Sequence, residues 1–179
     1  MLFMKSLLNN IKSRFSIKDV TEQRSNLVFI DVARESAVPL ITYLRDYEGM
    51  THLVLLTAAD WIEENEFQLT YLLNNPEQKF DIGVRVRISR EKATMETAHH
   101  LWEQVATYQR ELKEMFGIDF PGSPGVDKPF ILEGWDDLPP YRRDFDTKKY
   151  SEDTYFPRPG RESNDPAEYM KKKMYPNEK

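Results

Sequence analysis

Glu66-Phe67-Gln68-Leu69-Thr70-Tyr71-Leu72-Leu73, then Asn74-Asn75-Pro76-Glu77-Gln78-Lys79, then Phe80-Asp81-Ile82-Gly83-Val84-Arg85-Val86-Arg87-Ile88 reads as two strands joined by a turn. Phe67, Leu69, Tyr71 and Leu73 alternate with more polar positions in the first arm. Val84, Val86 and Ile88 alternate with Gly83, Arg85 and Arg87 in the second. A period of two puts each apolar set on one face of a strand. The connection is short and carries turn-forming residues, so the two strands form an antiparallel hairpin with one buried and one wetter face.

Working outward, residues 52–57 read as another strand, and residues 26–32 as the first strand, rich in β-branched and aromatic side chains. Ser36 is placed to cap the helix between them, with Pro39 in its first turn, Leu40, Tyr43 and Leu44 on its inner face, and Gly49 at its end. A short helix with Leu7, Leu8, Ile11 and Phe15 precedes all of this. The fold class that follows is α+β: a small mixed or antiparallel sheet of about four strands packed against helices. Downstream, Leu101, Val105, Tyr108, Leu112 and Met115 recur every three or four residues. They predict one amphipathic helix from a Thr94 cap to Phe116, about 34 Å long. Gly117 stands where a left-handed C-terminal cap is needed.

Beyond Gly117 the composition changes. Nine of the 11 prolines lie after Ile118, which breaks regular structure. The same segment keeps Phe120, Phe130, Trp135, Tyr141, Tyr150, Tyr155 and Phe156, too many aromatic groups for an entropic linker. We expect a domain over residues 1–120 and, over 121–179, an extended proline-rich arm that docks on a partner.

A chain of 179 residues that is 40% hydrophobic can bury one real core. Its net charge of -5 mixes both signs along the sequence, so no basic face for nucleic acid is evident. Cysteine is absent, which excludes disulfides, thiolate-bound zinc, iron–sulfur ligation and a cysteine nucleophile. Lys5 interrupts the apolar N-terminus and no small-residue cleavage pattern follows, so it does not read as a signal peptide. No stretch approaches the roughly twenty apolar residues of a spanning helix.

Catalytic constellations are not evident. The seven glycines form no phosphate-cradling loop. His99 and His100, adjacent on the expected helix, point about 100° apart, a poor arrangement for chelating one metal. Asp136-Asp137, Glu63-Glu64 and the pair Glu111 and Glu114 read as solvated or salt-bridged acids. Arg85 and Arg87 share one strand face, and Arg142-Arg143-Asp144 follows Pro139-Pro140-Tyr141. Arginines beside aromatics often anchor interfaces, because guanidinium forks bind carboxylates and stack on rings; for Arg85 and Arg87 a merely wetted sheet face is an equal alternative.

Trp102, Gln109-Arg110-Glu111, Met115-Phe116-Gly117-Ile118, Phe120, Gly122, Pro124, Ile131-Leu132, Trp135 and Pro140-Tyr141-Arg142-Arg143-Asp144-Phe145 occur in that order. Together with residues 53–61 and 67–73 they resemble the thirty-kilodalton-type peripheral-arm subunit of the respiratory complex I family, which comprises NADH:quinone oxidoreductases and their hydrogenase relatives. The likeness spans residues 27–145. Gln109 departs from the family's usual glutamate, Ser123 from its histidine, and Asp127-Lys128-Pro129 from its arginine pair. These departures favour a membrane-bound hydrogenase or sulfur-reducing relative, with NADH:quinone oxidoreductase proper as the alternative.

The resemblance implies a structural subunit without catalytic, metal or cofactor site, peripheral on the cytoplasmic face of the cell membrane and attached to it only through partners. The implied partners are a large hydrogenase-like subunit and a small iron–sulfur subunit, which would carry the iron–sulfur clusters and the nickel–iron or flavin centres. Partner-binding residues would be Arg110, Glu111, Met115, Phe116, Trp135, Tyr141, Arg142, Arg143, Asp144, Tyr155 and Phe156. Two other classes stay open: a stand-alone enzyme using the carboxylates and histidines, and an assembly chaperone.

Overall fold

Alternation at period two governs the centre of the molecule. In the computed structural model, which describes residues 2–155 and 166–175, β4 (Glu66–Asn75) and β5 (Phe80–Ser89) pair antiparallel, with Phe67 opposite Ile88 and Tyr71 opposite Val84. Every second β4 residue from Phe67 to Asn75 is buried. β3 (His52–Trp61) pairs antiparallel with the other edge of β4. β2 (Leu27–Val32) lies parallel to β5, and β1 (Ile17–Arg24) pairs antiparallel with β2. The sheet order is β1-β2-β5-β4-β3.

The fold class is α+β, with a five-stranded sheet packed against helices. The strand that periodicity did not reveal is β1. Only Ile17 and Val20 are apolar in it, because an edge strand with one open face presents few side chains to the core.

Helices α1 (Leu2–Lys12), α2 (Arg34–Tyr47) and α3 (Val105–Phe116) all contribute to the core on one side of the sheet. Leu7, Ile11, Leu40, Ile41 and Leu44 meet Val28, Ile30, Phe67, Leu69, Tyr71 and Val84 there. Full burial of each large aliphatic or aromatic side chain contributes about 1.5–3 kcal/mol. α2 begins after Ala33, so Ser36 sits in the first turn rather than at the cap. Past the helix end Gly49 takes a φ of 71°, and Asn75 donates from Nδ2 to the Glu48 carbonyl at 3.1 Å.

One expected element is corrected. The helix predicted from Thr94 begins at Val105, so it has 12 residues and spans about 18 Å. Met95, Ala98 and Leu101 are buried at a spacing of three, which imitates a helix face, but the backbone there is extended and turned. Thr94 instead forms a parallel bridge with Asp119; the Asp119 N–H donates to Ala93 O at 2.8 Å and the Met95 N–H to Asp119 O at 2.9 Å. His99 and His100 accordingly lie in a turn, their rings perpendicular at 6.1 Å, with Thr97 Oγ1 3.1 Å from His99 Nδ1.

By packing, the chain divides into Met1–Arg142 and Arg143–Lys179. In the second unit, α4 (Thr147–Tyr155) starts where Asp146 accepts from the Lys149 N–H at 2.9 Å, and α5 (Pro166–Met174) follows. No described helix is long and apolar enough to cross a membrane.

Candidate partner-docking surface

α3 ends as its sequence requires. Gly117 adopts a φ of 78°, its N–H donates to Lys113 O at 2.9 Å and the Ile118 N–H reaches Leu112 O at 3.4 Å. The chain therefore turns back along the helix it has just left. Beyond the glycine, Phe120 is fully buried, and Phe130 and Leu132 pack partly against the core.

Backbone groups in this irregular return need partners. Glu114 supplies three of them: its Oε2 accepts from the Phe130 N–H at 2.6 Å, and its Oε1 from the Ile131 and Leu132 N–H groups at 2.8 and 2.9 Å. Burial pushes the Glu114 carboxyl up, but the three N–H donors, with Arg110 nearby, outweigh it and hold the group below its ordinary value. One residue back, Lys113 bridges Asp119, at 2.7 Å, and Asp127. Hydrogen bonds to Asp119 first and Asp127 second raise its pKa. Two side chains of one helix turn thus staple the return segment.

The partner-binding residues expected from sequence fall into separate groups. Arg110 is half-buried with its guanidinium 5.2 Å above the Phe130 ring. It lines a cleft of about 340 Å³ together with Lys113, Glu114, Lys128, Leu132 and Trp135. Trp135 Nε1 donates to the carbonyls of Asp137 and Leu138 at 3.0 and 3.1 Å. Glu111 is half-buried within α3, and its side chain makes no hydrogen bond or ion pair among the described residues.

Met115 and Phe116 are buried, 3% and 8% exposed, so any partner would meet the residues that cover them. Phe116 stands edge-on to Phe67 on one side and to Tyr141 on the other, at 5.9 and 5.7 Å. The Tyr141 N–H donates to Met115 O at 3.0 Å, and the tyrosine remains 58% exposed. The Arg142 guanidinium lies 5.8 Å from the Phe67 ring. Arg143 and Asp144 are exposed in the second unit. Tyr155 ends α4, but its side chain and all of Phe156 fall outside the described residues.

Sequence reading missed the roles of Glu114, which reads there as a solvated or salt-bridged acid, and of Lys113, which it does not single out. The signal for them was Phe130-Ile131-Leu132: three apolar residues beside prolines, with no strand to pair them, require an acceptor from elsewhere. It also missed Gln109 as a core residue. Gln109 is fully buried, and its Oε1 accepts from Thr97 Oγ1 at 2.7 Å. Among the described residues no three His, Asp or Glu side chains cluster to hold a metal ion.

Exposed Ile131 and Tyr141, with the Arg110–Trp135 cleft, give an α+β domain whose last helix carries a stapled, partly apolar ledge. Residues 30–151 match the family described as the respiratory-chain NADH dehydrogenase 30 Kd subunit, and the chain belongs to that family. It is 28% identical over 142 residues to the C/D 2 subunit of the NADH-quinone oxidoreductase of Aquifex aeolicus, covering 79% of this chain and 24% of that protein. To the C subunit of the NADH-quinone oxidoreductase of Citrifermentans bemidjiense it is 28% identical, covering 70% of this chain and 79% of the other.

The chain thus spans about a quarter of the length of the C/D relatives it matches. Among solved structures it resembles a chain of the membrane-bound sulfane sulfur reductase, an archaeal respiratory membrane complex. The TM-score is 0.74 at 25% identity, covering 87% and 92% of the two chains. A trypsin-resistant fragment of Nqo5 shares the fold, with a TM-score of 0.58 at 20% identity, covering 68% of this chain and 98% of the fragment.

Proposed function

We propose that this chain is a structural subunit of a complex I-like, ion-translocating membrane redox complex, peripheral on the cytoplasmic side. In this reading it packs against the large hydrogenase-like subunit beside a small iron–sulfur subunit. The observation that carries the proposal is the match of residues 30–151 to the family. The ledge supplies its physical means: Ile131 and Tyr141 are large apolar groups left exposed on a backbone that Glu114 and Tyr141 tie down, so a partner meets a pre-ordered surface. Lack of cysteine supports placing the redox centres on other chains.

A sulfur-reducing or hydrogenase branch is supported by the likeness to the sulfane sulfur reductase chain, with a TM-score of 0.74 over 87% of this chain. The NADH:quinone branch is the second reading, favoured by the C and C/D relatives.

The test is purification of the affinity-tagged full chain from mildly solubilised membranes of its own cells. Equal stoichiometry with a large hydrogenase-related subunit and an iron–sulfur subunit is the expected result. Nickel, or a flavin and NADH module, in the recovered complex then selects the branch. Recovery only with immature large subunit would indicate an assembly chaperone instead, and turnover by the isolated chain would indicate an enzyme.

A further inference from the structure

The face of the sheet opposite the helices carries a charged feature that the ledge does not use. Register places Phe29 and Asp31 of β2, Gly83, Arg85 and Arg87 of β5, Gln68 of β4 and Trp61 of β3 on that face. Lys18, Asp31, Trp61, Gln68, Arg85 and Arg87 line a cleft there of about 280 Å³. Its two arginines are in different states. Arg85 is tightly paired through one nitrogen: its Nη2 donates to Asp31 Oδ2 at 2.6 Å and to Thr21 Oγ1 at 3.1 Å, while its Nε is buried without an acceptor and its guanidinium lies 5.1 Å from the Phe29 ring centre.

Arg87 is not tightly paired. Its guanidinium lies 4.2 Å from the Trp61 ring centre, which fixes the plane of the fork and leaves the edge as its hydrogen-bonding side. The nearest carboxylate, Glu66, is 3.8 Å from Nη1, beyond hydrogen-bond length, and Nη1 is buried without an acceptor. The Arg87 side chain stays 30% exposed, so a ligand carboxylate reaching it from solvent adds to this long ion pair.

The cleft holds Lys18, Arg85 and Arg87 against Asp31, with Glu66 beside Arg87, a local excess of one positive charge on a chain whose net charge is -5. We propose that this cleft docks an acidic segment of a protein partner, one carboxylate of which binds Arg87 from the solvent side while the segment's apolar atoms lie on Trp61. The cleft's concavity and its single stacked arginine suit an inserted side chain better than a flat anionic membrane, which takes an array of exposed cations. Trp61, at 39% exposure on an otherwise polar rim, is the sort of aromatic that anchors such contacts. The proposal concerns a different face from the ledge and does not rest on the function assigned above.

The experiment is a fluorescence-anisotropy titration of the purified full chain with a labelled hexaglutamate peptide at about 50 mM salt, where screening is weak. Saturable binding is expected, weakened at least ten-fold by Arg87→Gln and about three-fold by Lys18→Gln. Arg24→Gln, which removes an exposed β1 charge outside the cleft, is expected to change it less than two-fold. Melting curves confirm that each variant folds, and Lys18, fully on the surface, gives a readout independent of Arg87 packing. Absence of saturable binding, or equal loss with Arg24→Gln, overturns the proposal. So does displacement of the peptide by inorganic phosphate at equal concentration, or a preference for phosphatidylserine vesicles.

Discussion

Glu114 does at one position what a strand partner does elsewhere, accepting from three consecutive backbone N–H groups. Glu114→Ala leaves those donors to find water or remain unpaired. We expect a loss of about 1–3 kcal/mol in chemical denaturation, with faster proteolytic cleavage between residues 121 and 142. The folded carboxyl is held below its unfolded value of 4.5. Its contribution is therefore fully present above pH 4.5 and is lost as pH falls through the lower folded value. Proteolysis of the wild-type segment should rise in that acid window, whereas in Glu114→Ala it should be high already at neutral pH. Gly83 offers a second test on the opposite face. A Cβ there would lie 2.3 Å from the Phe29 ring, which must swing off the sheet. Gly83→Ala should lower stability by about 1–2 kcal/mol in a thermal melt, and Gly83→Ala with Phe29→Ala should relieve the clash.

At the scale of elements, α3 and the turn before it cover the outer edge of β3. Trp102 Nε1 donates to Thr51 O at 2.8 Å, Gln104 Nε2 to Leu53 O at 2.7 Å, and Tyr108 Oη to Val54 O at 3.2 Å. Uncovered edge carbonyls invite pairing with another chain. The triple variant Trp102→Phe, Gln104→Ala, Tyr108→Phe should therefore self-associate more readily, measured by light scattering, while keeping its far-ultraviolet dichroism. The β4–β5 hairpin was legible in sequence because its alternation is nearly unbroken, and the Gly117 cap because little else tolerates that φ. The length of α3 was not, since Met95, Ala98 and Leu101 are buried for a tertiary reason, the Thr94–Asp119 bridge, that no local pattern records. The ledge was half legible. Tyr141 and Trp135 announced themselves as aromatics among prolines, whereas Glu114 and Lys113 looked like any charged pair on a helix.

At the scale of the whole molecule, the unit Met1–Arg142 has one sheet with helices on one face, a stapled ledge after α3, and a basic cleft on the other face of the sheet. Both surfaces suit an assembly member, and the chain belongs to the 30 Kd subunit family. Ile131 and Tyr141 contribute exposed side chains to the ledge, while their backbone N–H groups do the internal work. Ile131→Ser with Tyr141→Ser should leave the melting temperature of the isolated chain within a few degrees of wild type. The central measurement is recovery of the large subunit with this tagged double variant from solubilised membranes, beside wild type. The structural-subunit account predicts a loss of at least ten-fold; undiminished recovery of the large subunit would contradict it.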